Sequence, residues 1–130
     1  MELKQQGKIR TIMIVEDEED ILDVYSDFLK RKGYTIEASA PTANEILRDY
    51  DAYRPDLVII DYRLPGSING VEASEKILRN YPSARIIIMT AFDEVKKEIG
   101  ERRFFNDKTI LVLIKPLQLG YLSRVISSLS

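Results

Sequence analysis

Leu57-Val58-Ile59-Ile60 is a wholly apolar run that ends in a single carboxylate, Asp61, with Pro65 four residues further on. A run of Leu, Val and Ile without alternation reads as a strand buried on both faces, the pattern of a parallel sheet. An open parallel sheet puts its chemistry at the carboxyl ends of its strands. Asp61 is therefore placed where a reactive group would be. Its meaning depends on what the other strand ends bring to the same spot.

Comparable runs recur along the chain. Residues 9–15, 34–38, 56–60, 85–89 and 109–114 read as five strands. Apolar residues between them recur at helical spacing. Ile21, Leu22, Tyr25, Phe28 and Leu29 make a first helix running to about Lys32, with Gly33 as its stop. Pro41-Thr42 opens a second, with Ile46, Leu47 and Tyr50 as its stripe. Val71, Ala73, Ile77 and Leu78 mark a third, broken by Pro82. Phe92, Val95 and Ile99 mark a fourth, which Gly100 interrupts. Leu119, Leu122, Val125, Ile126 and Leu129 mark the last. This alternation predicts one α/β domain over residues 1–130, a parallel sheet with helices on both faces and right-handed crossovers. Residues 1–8 read as a loose tail.

The chain has no Cys and no His. That excludes disulfides, thiolate nucleophiles, thiolate zinc sites and histidine general bases. Any metal must be held by oxygen, which favours Mg²⁺ or Ca²⁺. The net charge is −2 and the basic residues are scattered, so direct nucleic-acid binding is not expected. No apolar run approaches the roughly 20 residues that span a bilayer. The polar start lacks the apolar segment of a signal peptide, so the expected location is the cytoplasm.

Four strand ends carry a polar group. Glu16 and Asp17 follow strand one, Asp61 follows strand three, Thr90 strand four and Lys115 strand five. Each follows an apolar run directly, so all should share one edge of the sheet. Three carboxylates in one crevice repel by about 1–4 kcal/mol per close pair in solvated surroundings. Such a cluster needs protonation or a cation, and Mg²⁺ with retained waters suits an oxygen-only donor set. Taken singly, each residue has a plainer role. Glu18, Glu19 and Asp20 suit a helix N-terminus. A lone Asp is a turn residue, a lone Thr a strand-end hydroxyl, and a lone Lys a solvated cation. It is the agreement of four strand ends that points to a site.

The ordered set Val15-Glu16-Asp17, Asp61 with Pro65, Thr90-Ala91 and Lys115-Pro116 resembles the receiver domain of two-component response regulators, from about Ile9 to Leu129. The resemblance implies a flavodoxin-like (βα)5 doubly wound sandwich with strand order 2-1-3-4-5. It also implies that Asp61 is the phosphoacceptor for a sensor histidine kinase. Glu16, Asp17 and Asp61 would hold Mg²⁺ together with the Arg63 backbone carbonyl, and Thr90 and Lys115 would contact the transferring group. The Lys115–Pro116 peptide is typically cis in this family.

The sequence also departs from the family pattern. Glu16 stands where Asp is common. The loop after Asp61, Gly66-Ser67-Ile68-Asn69-Gly70, is one residue longer before its glycine. Val112 stands where an aromatic switch residue is frequent. Arg63 and Phe92 occupy positions that the family places beside the attacking water, and their bulk predicts slow loss of phosphate. Strand five is apolar on both faces, and with Phe104 and Phe105 nearby it is either covered by helices four and five or forms a homodimer or partner face.

The leading reading is a stand-alone receiver that signals through an unknown downstream protein and catalyses only its own phosphorylation and dephosphorylation. The alternative is a receiver-like interaction module independent of phosphorylation. An enzyme of haloacid-dehalogenase type would want an Asp where Arg63 stands, and a cobalamin-binding domain would want a His. No glycine-rich phosphate loop follows strand one.

Overall fold

The computed structural model describes residues 7–39 and 43–130. Five strands alternate with five helices: β1 (Thr11–Val15), α1 (Glu19–Arg31), β2 (Thr35–Ser39), α2 (Ala43–Tyr53), β3 (Leu57–Asp61), α3 (Gly70–Asn80), β4 (Arg85–Thr90), α4 (Asp93–Glu101), β5 (Thr109–Ile114) and α5 (Leu119–Leu129). The sheet is parallel throughout, in the order β2-β1-β3-β4-β5. This is the doubly wound flavodoxin-like arrangement expected from the sequence.

The pleat divides the apolar runs between two cores. Met13, Val15, Val58, Ile60, Ile86 and Ile88 face one side, against Ile46 of α2, Ile77 and Leu78 of α3 and Val95 of α4. Ile12, Ile14, Leu57, Ile59, Ile87 and Met89 face the other, against Leu29 of α1 and Leu122 and Ile126 of α5. Ile60 and Ile59 are neighbours in sequence and lie in opposite cores, so the run before Asp61 is buried on both faces of the sheet. Full burial of each such side chain contributes about 1.5–3 kcal/mol.

The pairing brings the carboxyl ends level. Val15 lies opposite Ile60, Asp61 opposite Met89 and Thr90 opposite Ile114. The helix ends follow local chemistry. Gly33, at φ 101°, closes α1: its N–H donates to the Lys30 carbonyl, and the Tyr34 N–H to that of Leu29. Asn69 opens α3 with a reciprocal cap. The Glu72 N–H donates to Asn69 Oδ1, and the Asn69 N–H donates to Glu72 Oε1, both at 2.9 Å.

Several expectations need correction. Strand one begins at Thr11, two residues later than expected, although Ile9 is buried. Strand two runs Thr35–Ser39, shifted by one. Strand three starts at Leu57 and includes Asp61, because Asp56 turns its carboxylate back to accept the Arg10 and Thr11 N–H groups at 2.8 and 3.1 Å. Helix four is not interrupted at Gly100. It runs to Glu101, held by buried Val95 and Ile99, and a 3₁₀ turn follows at Arg103–Phe105. The opening of helix two at Pro41-Thr42 lies outside the described residues.

Of the two readings of strand five, covered or open as a partner face, most of the surface follows the first. Phe105 is buried, Ile110 and Val112 pack on the core, and Phe104 lies half-buried beneath Arg79 and Lys108. Leu111 and Tyr121 stay exposed. Among the described residues no helix is long and apolar enough to cross a membrane.

Candidate functional site

The carboxyl edge of the sheet collects every site residue expected from the sequence. Glu16 and Asp17 leave β1, Asp61 ends β3, Thr90 ends β4 and Lys115 follows β5. Together with Arg63 they line one open crevice of about 640 Å³.

The centre of the crevice is an ion pair. Lys115 Nζ donates to Asp61 Oδ1 at 2.7 Å, with the carboxylate the more buried partner. The lysine is aimed by its backbone, whose N–H donates to the Thr90 carbonyl at 2.7 Å, while Lys115–Pro116 is a cis peptide. Burial disfavours the ammonium. The Asp61 hydrogen bond and the Asp61 and Glu16 charges outweigh that and hold the Lys115 pKa above its ordinary value.

Around this pair lies an acidic cluster. One carboxylate oxygen from each of Glu16, Asp17 and Asp61 falls within 4.8 Å of the others. Glu16 is buried, Asp17 exposed and Asp61 intermediate. Burial is the main force pushing the Glu16 carboxyl up from 4.5 to about 6, and nearby Asp61 adds to it. Its hydrogen bond from the Glu18 N–H (3.1 Å) works in the other direction. The acidic turn opens α1 as expected, with Glu18 at its N-cap position, although the Glu18 side chain makes no cap bond. Glu19 and Asp20 sit in the first turn, as expected. Oxygen donors of this charge and closeness suit a hard divalent cation, which together with Lys115 would balance the three carboxylates and leave no net negative charge to repel an incoming anion's oxygens.

Thr90 is 2% exposed, and its Oγ1 accepts the Phe92 N–H at 3.1 Å. Its own hydroxyl proton remains free to be donated into the crevice. Arg63 turns its side chain outward, with the guanidinium 4.8 Å over the Phe92 ring. Phe92 in turn meets Tyr62 edge-on, centroids 6.4 Å apart.

Several contributors were not read from the sequence. Gly70 lets the start of α3 press on β3, the strand that ends in Asp61. A Cβ there would lie 2.7 Å from the Asp61 carbonyl oxygen and 2.9 Å from Tyr62 Cα. The Gly70 N–H donates to the Tyr62 carbonyl at 2.8 Å, and buried Ser74 donates from Oγ to the Gly70 carbonyl at 2.7 Å. Asn69, the α3 cap, donates from Nδ2 to Tyr62 Oη at 3.4 Å. The signal for that cap was present as Asn69 followed three residues later by Glu72. Tyr62 had no comparable signal.

A family model described as the response regulator receiver domain matches residues 12–126. The chemotaxis protein CheY of Thermotoga maritima is 27% identical over 85 residues, 65% of this chain and 70% of that protein. The regulatory protein VanR of Enterococcus faecium is 34% identical over 108 residues, 83% of this chain and 46% of VanR. The chain thus corresponds to most of CheY and to less than half of VanR. The response regulator TrrA of Thermotoga maritima, solved in complex with Mg(2+)-BeF, superposes with a TM-score of 0.78 at 26% identity, over 94% of this chain and 100% of that one. With the match covering nearly all of the sheet and every residue of the crevice, the chain belongs to the response regulator receiver domain family.

Proposed function

We propose that this chain is a cytoplasmic phosphoacceptor module: Asp61 takes a phosphoryl group from a phosphohistidine of a sensor histidine kinase, in a Mg²⁺-dependent reaction. The observation that carries this reading is the Lys115–Asp61 contact of 2.7 Å inside the Glu16, Asp17 and Asp61 cluster. Phosphoryl transfer mainly requires positioning and neutralisation of the transferring oxygens.

An Asp61 carboxylate oxygen attacks phosphorus, and the bond from phosphorus to the donor imidazole nitrogen breaks. Lys115 passes from the carboxylate to a phosphoryl oxygen without losing its charge. The Thr90 hydroxyl donates to a second oxygen. Glu16, Asp17, Asp61 and the Arg63 carbonyl would hold Mg²⁺, which neutralises charge on the phosphoryl oxygens when bound. The only reactions catalysed are the chain's own phosphorylation and dephosphorylation.

A protein donor is supported by an apolar groove beside Lys115, where Ile21, Val24 and Tyr25 of α1 face Pro116, Leu117 and Leu119. The output is by protein–protein contact. The face of α4, β5 and α5, with Leu111 and Tyr121 exposed, would serve as the surface for a downstream partner or a second copy.

The test is incubation with a small acyl-phosphate donor and Mg²⁺, read by intact mass. A gain of one phosphoryl group that is absent in Asp61→Asn supports the reading. No gain in the wild type, under conditions that phosphorylate a control receiver, would favour an interaction module that works without phosphorylation.

A further inference from the structure

We propose that the state of Asp61 reaches the first turns of α4 and α3 through a side-chain relay, Thr90 to Phe92 to Tyr62 to Asn69, rather than through β5. The proposal rests on the phosphoacceptor reading of Asp61.

The relay begins at the buried Thr90 hydroxyl. Its oxygen accepts the Phe92 N–H at 3.1 Å, and its proton is free for an oxygen carried on Asp61. One atom therefore joins the site to Phe92, which stands at the N-cap position of α4 without a side-chain cap bond. If Oγ1 moves toward a new anion, it either draws the Phe92 backbone with it or releases the N–H. Both outcomes displace the Phe92 ring.

That ring is held on two sides. Its edge-on contact with Tyr62 spans 6.4 Å between centroids, and the Arg63 guanidinium stacks at 4.8 Å. Tyr62 then accepts from Asn69 Nδ2 at 3.4 Å. Asn69 is one half of the reciprocal cap that fixes the start of α3. The chain of contacts is short and continuous, and it runs from the N-cap position of α4 to the Asn69 cap of α3, where a lost cap costs about 1 kcal/mol. A change of that size is enough to alter local populations severalfold.

The route through β5 has no matching part. Between Thr109 and Lys115 the strand is Ile110-Leu111-Val112-Leu113-Ile114, with no side chain that hydrogen-bonds or carries a ring. Val112 packs into the core beside Ile110. A hydroxyl turning at Thr90 finds nothing polar there to follow it.

The plainer account is that Phe92, Tyr62 and Arg63 only shield the rim of the crevice. The two accounts differ in what Phe92 and Tyr62 substitutions do to distant amides. The experiment follows backbone amide resonances of the full chain as Mg²⁺ and beryllium fluoride are added, with bound fluorine as the check on site occupancy. In the wild type the amides of Phe92–Val95 and Asn69–Glu72 should shift. In Phe92→Ala the Asn69–Glu72 shifts should fall about threefold at equal occupancy. Tyr62→Phe should keep the Phe92–Val95 shifts and lose those of Asn69–Glu72. Full Asn69–Glu72 shifts in Phe92→Ala, or wild-type shifts confined to β5 and α5, overturn the relay. A site that binds no fluorine even at saturating additive overturns the phosphoacceptor reading, and the relay falls with it.

Discussion

Lys115 Nζ lies 2.7 Å from Asp61 Oδ1, and no other cation is bonded to that carboxylate among the described residues. Removing the ammonium leaves Asp61 facing Glu16 and Asp17 alone. Lys115→Met is therefore expected to destabilise the Mg²⁺-free protein at pH 7.5. The cost should be about 1–2 kcal/mol, below the fully buried range because the lysine side chain keeps 26% exposure. Adding Asp61→Asn should recover most of it. Urea unfolding of the two singles and the double provides the cycle, and additive losses would mean the pair is not coupled. Mg²⁺ should protect Lys115→Met more than the wild type, since the cation takes over the missing charge.

Two glycines should respond oppositely to alanine. At Gly70 a Cβ would lie 2.7 Å from the Asp61 carbonyl oxygen and 2.9 Å from Tyr62 Cα, both backbone atoms that cannot swing aside. Gly70→Ala should cost about 1–3 kcal/mol and slow modification of Asp61 by the acyl-phosphate donor. At Gly100 a Cβ meets nothing within 4 Å, and the helix around it is regular. Gly100→Ala should stabilise by about 0.5–1 kcal/mol and leave modification unchanged. Melting curves and initial rates of mass gain check both.

Asp56 ties the lower ends of β1 and β3 together. Burial alone would push its carboxyl up, but the Arg10 and Thr11 N–H groups and the Thr11 hydroxyl together hold it below 3.8. A depressed folded-state pKa contributes stability that is complete above the unfolded value and is lost as pH falls through the folded one. Asp56→Ala should thus cost about 1–2 kcal/mol at pH 7, and the difference from wild type should shrink as pH drops below 3.8. Denaturant titrations at successive pH values test this. A gap that stays constant to low pH would show that the charge contributes nothing.

The legible parts of this chain were those that depend on composition along one strand or helix. Apolar runs such as Ile86-Ile87-Ile88 marked buried strands, and the polar residue ending each run marked the site edge, so Glu16, Asp17, Asp61, Thr90 and Lys115 could be placed together. The misread parts depend on partners far away in sequence. Asp56 looked like the start of a strand because it adjoins an apolar run, yet its role is set by Arg10 and Thr11, some 45 residues earlier. For Phe104 and Phe105 the sequence left open whether they are covered or belong to a partner face. In the structure Arg79 and Lys108 stack on the Phe104 ring, and Arg102 both stacks on Phe105 and pairs with Glu75 at 2.6 Å. Arg85, in line with a strand, is buried and donates to the carbonyls of Asp56, Gly7 and Leu129. No periodicity announces such contacts.

The Arg63–Phe92 stack bears on how long a phosphoryl group would persist. The two side chains lie on the loops that follow Asp61 and Thr90, and both line the crevice while stacking at 4.8 Å. Hydrolysis needs a water in line with the bond between phosphorus and the Asp61 oxygen, so bulky side chains at the rim lower the chance of reaching that position. Arg63→Ala and Phe92→Ala should each shorten the acyl-phosphate lifetime about two- to tenfold, a small change in barrier of roughly 0.5–1.4 kcal/mol. Since either change removes the same contact, the double variant should be little faster than the faster single. Lifetimes are read by mass or by phosphate release after the donor is removed. Unchanged lifetimes in both singles would sink the shielding role and leave the stack as a purely structural contact.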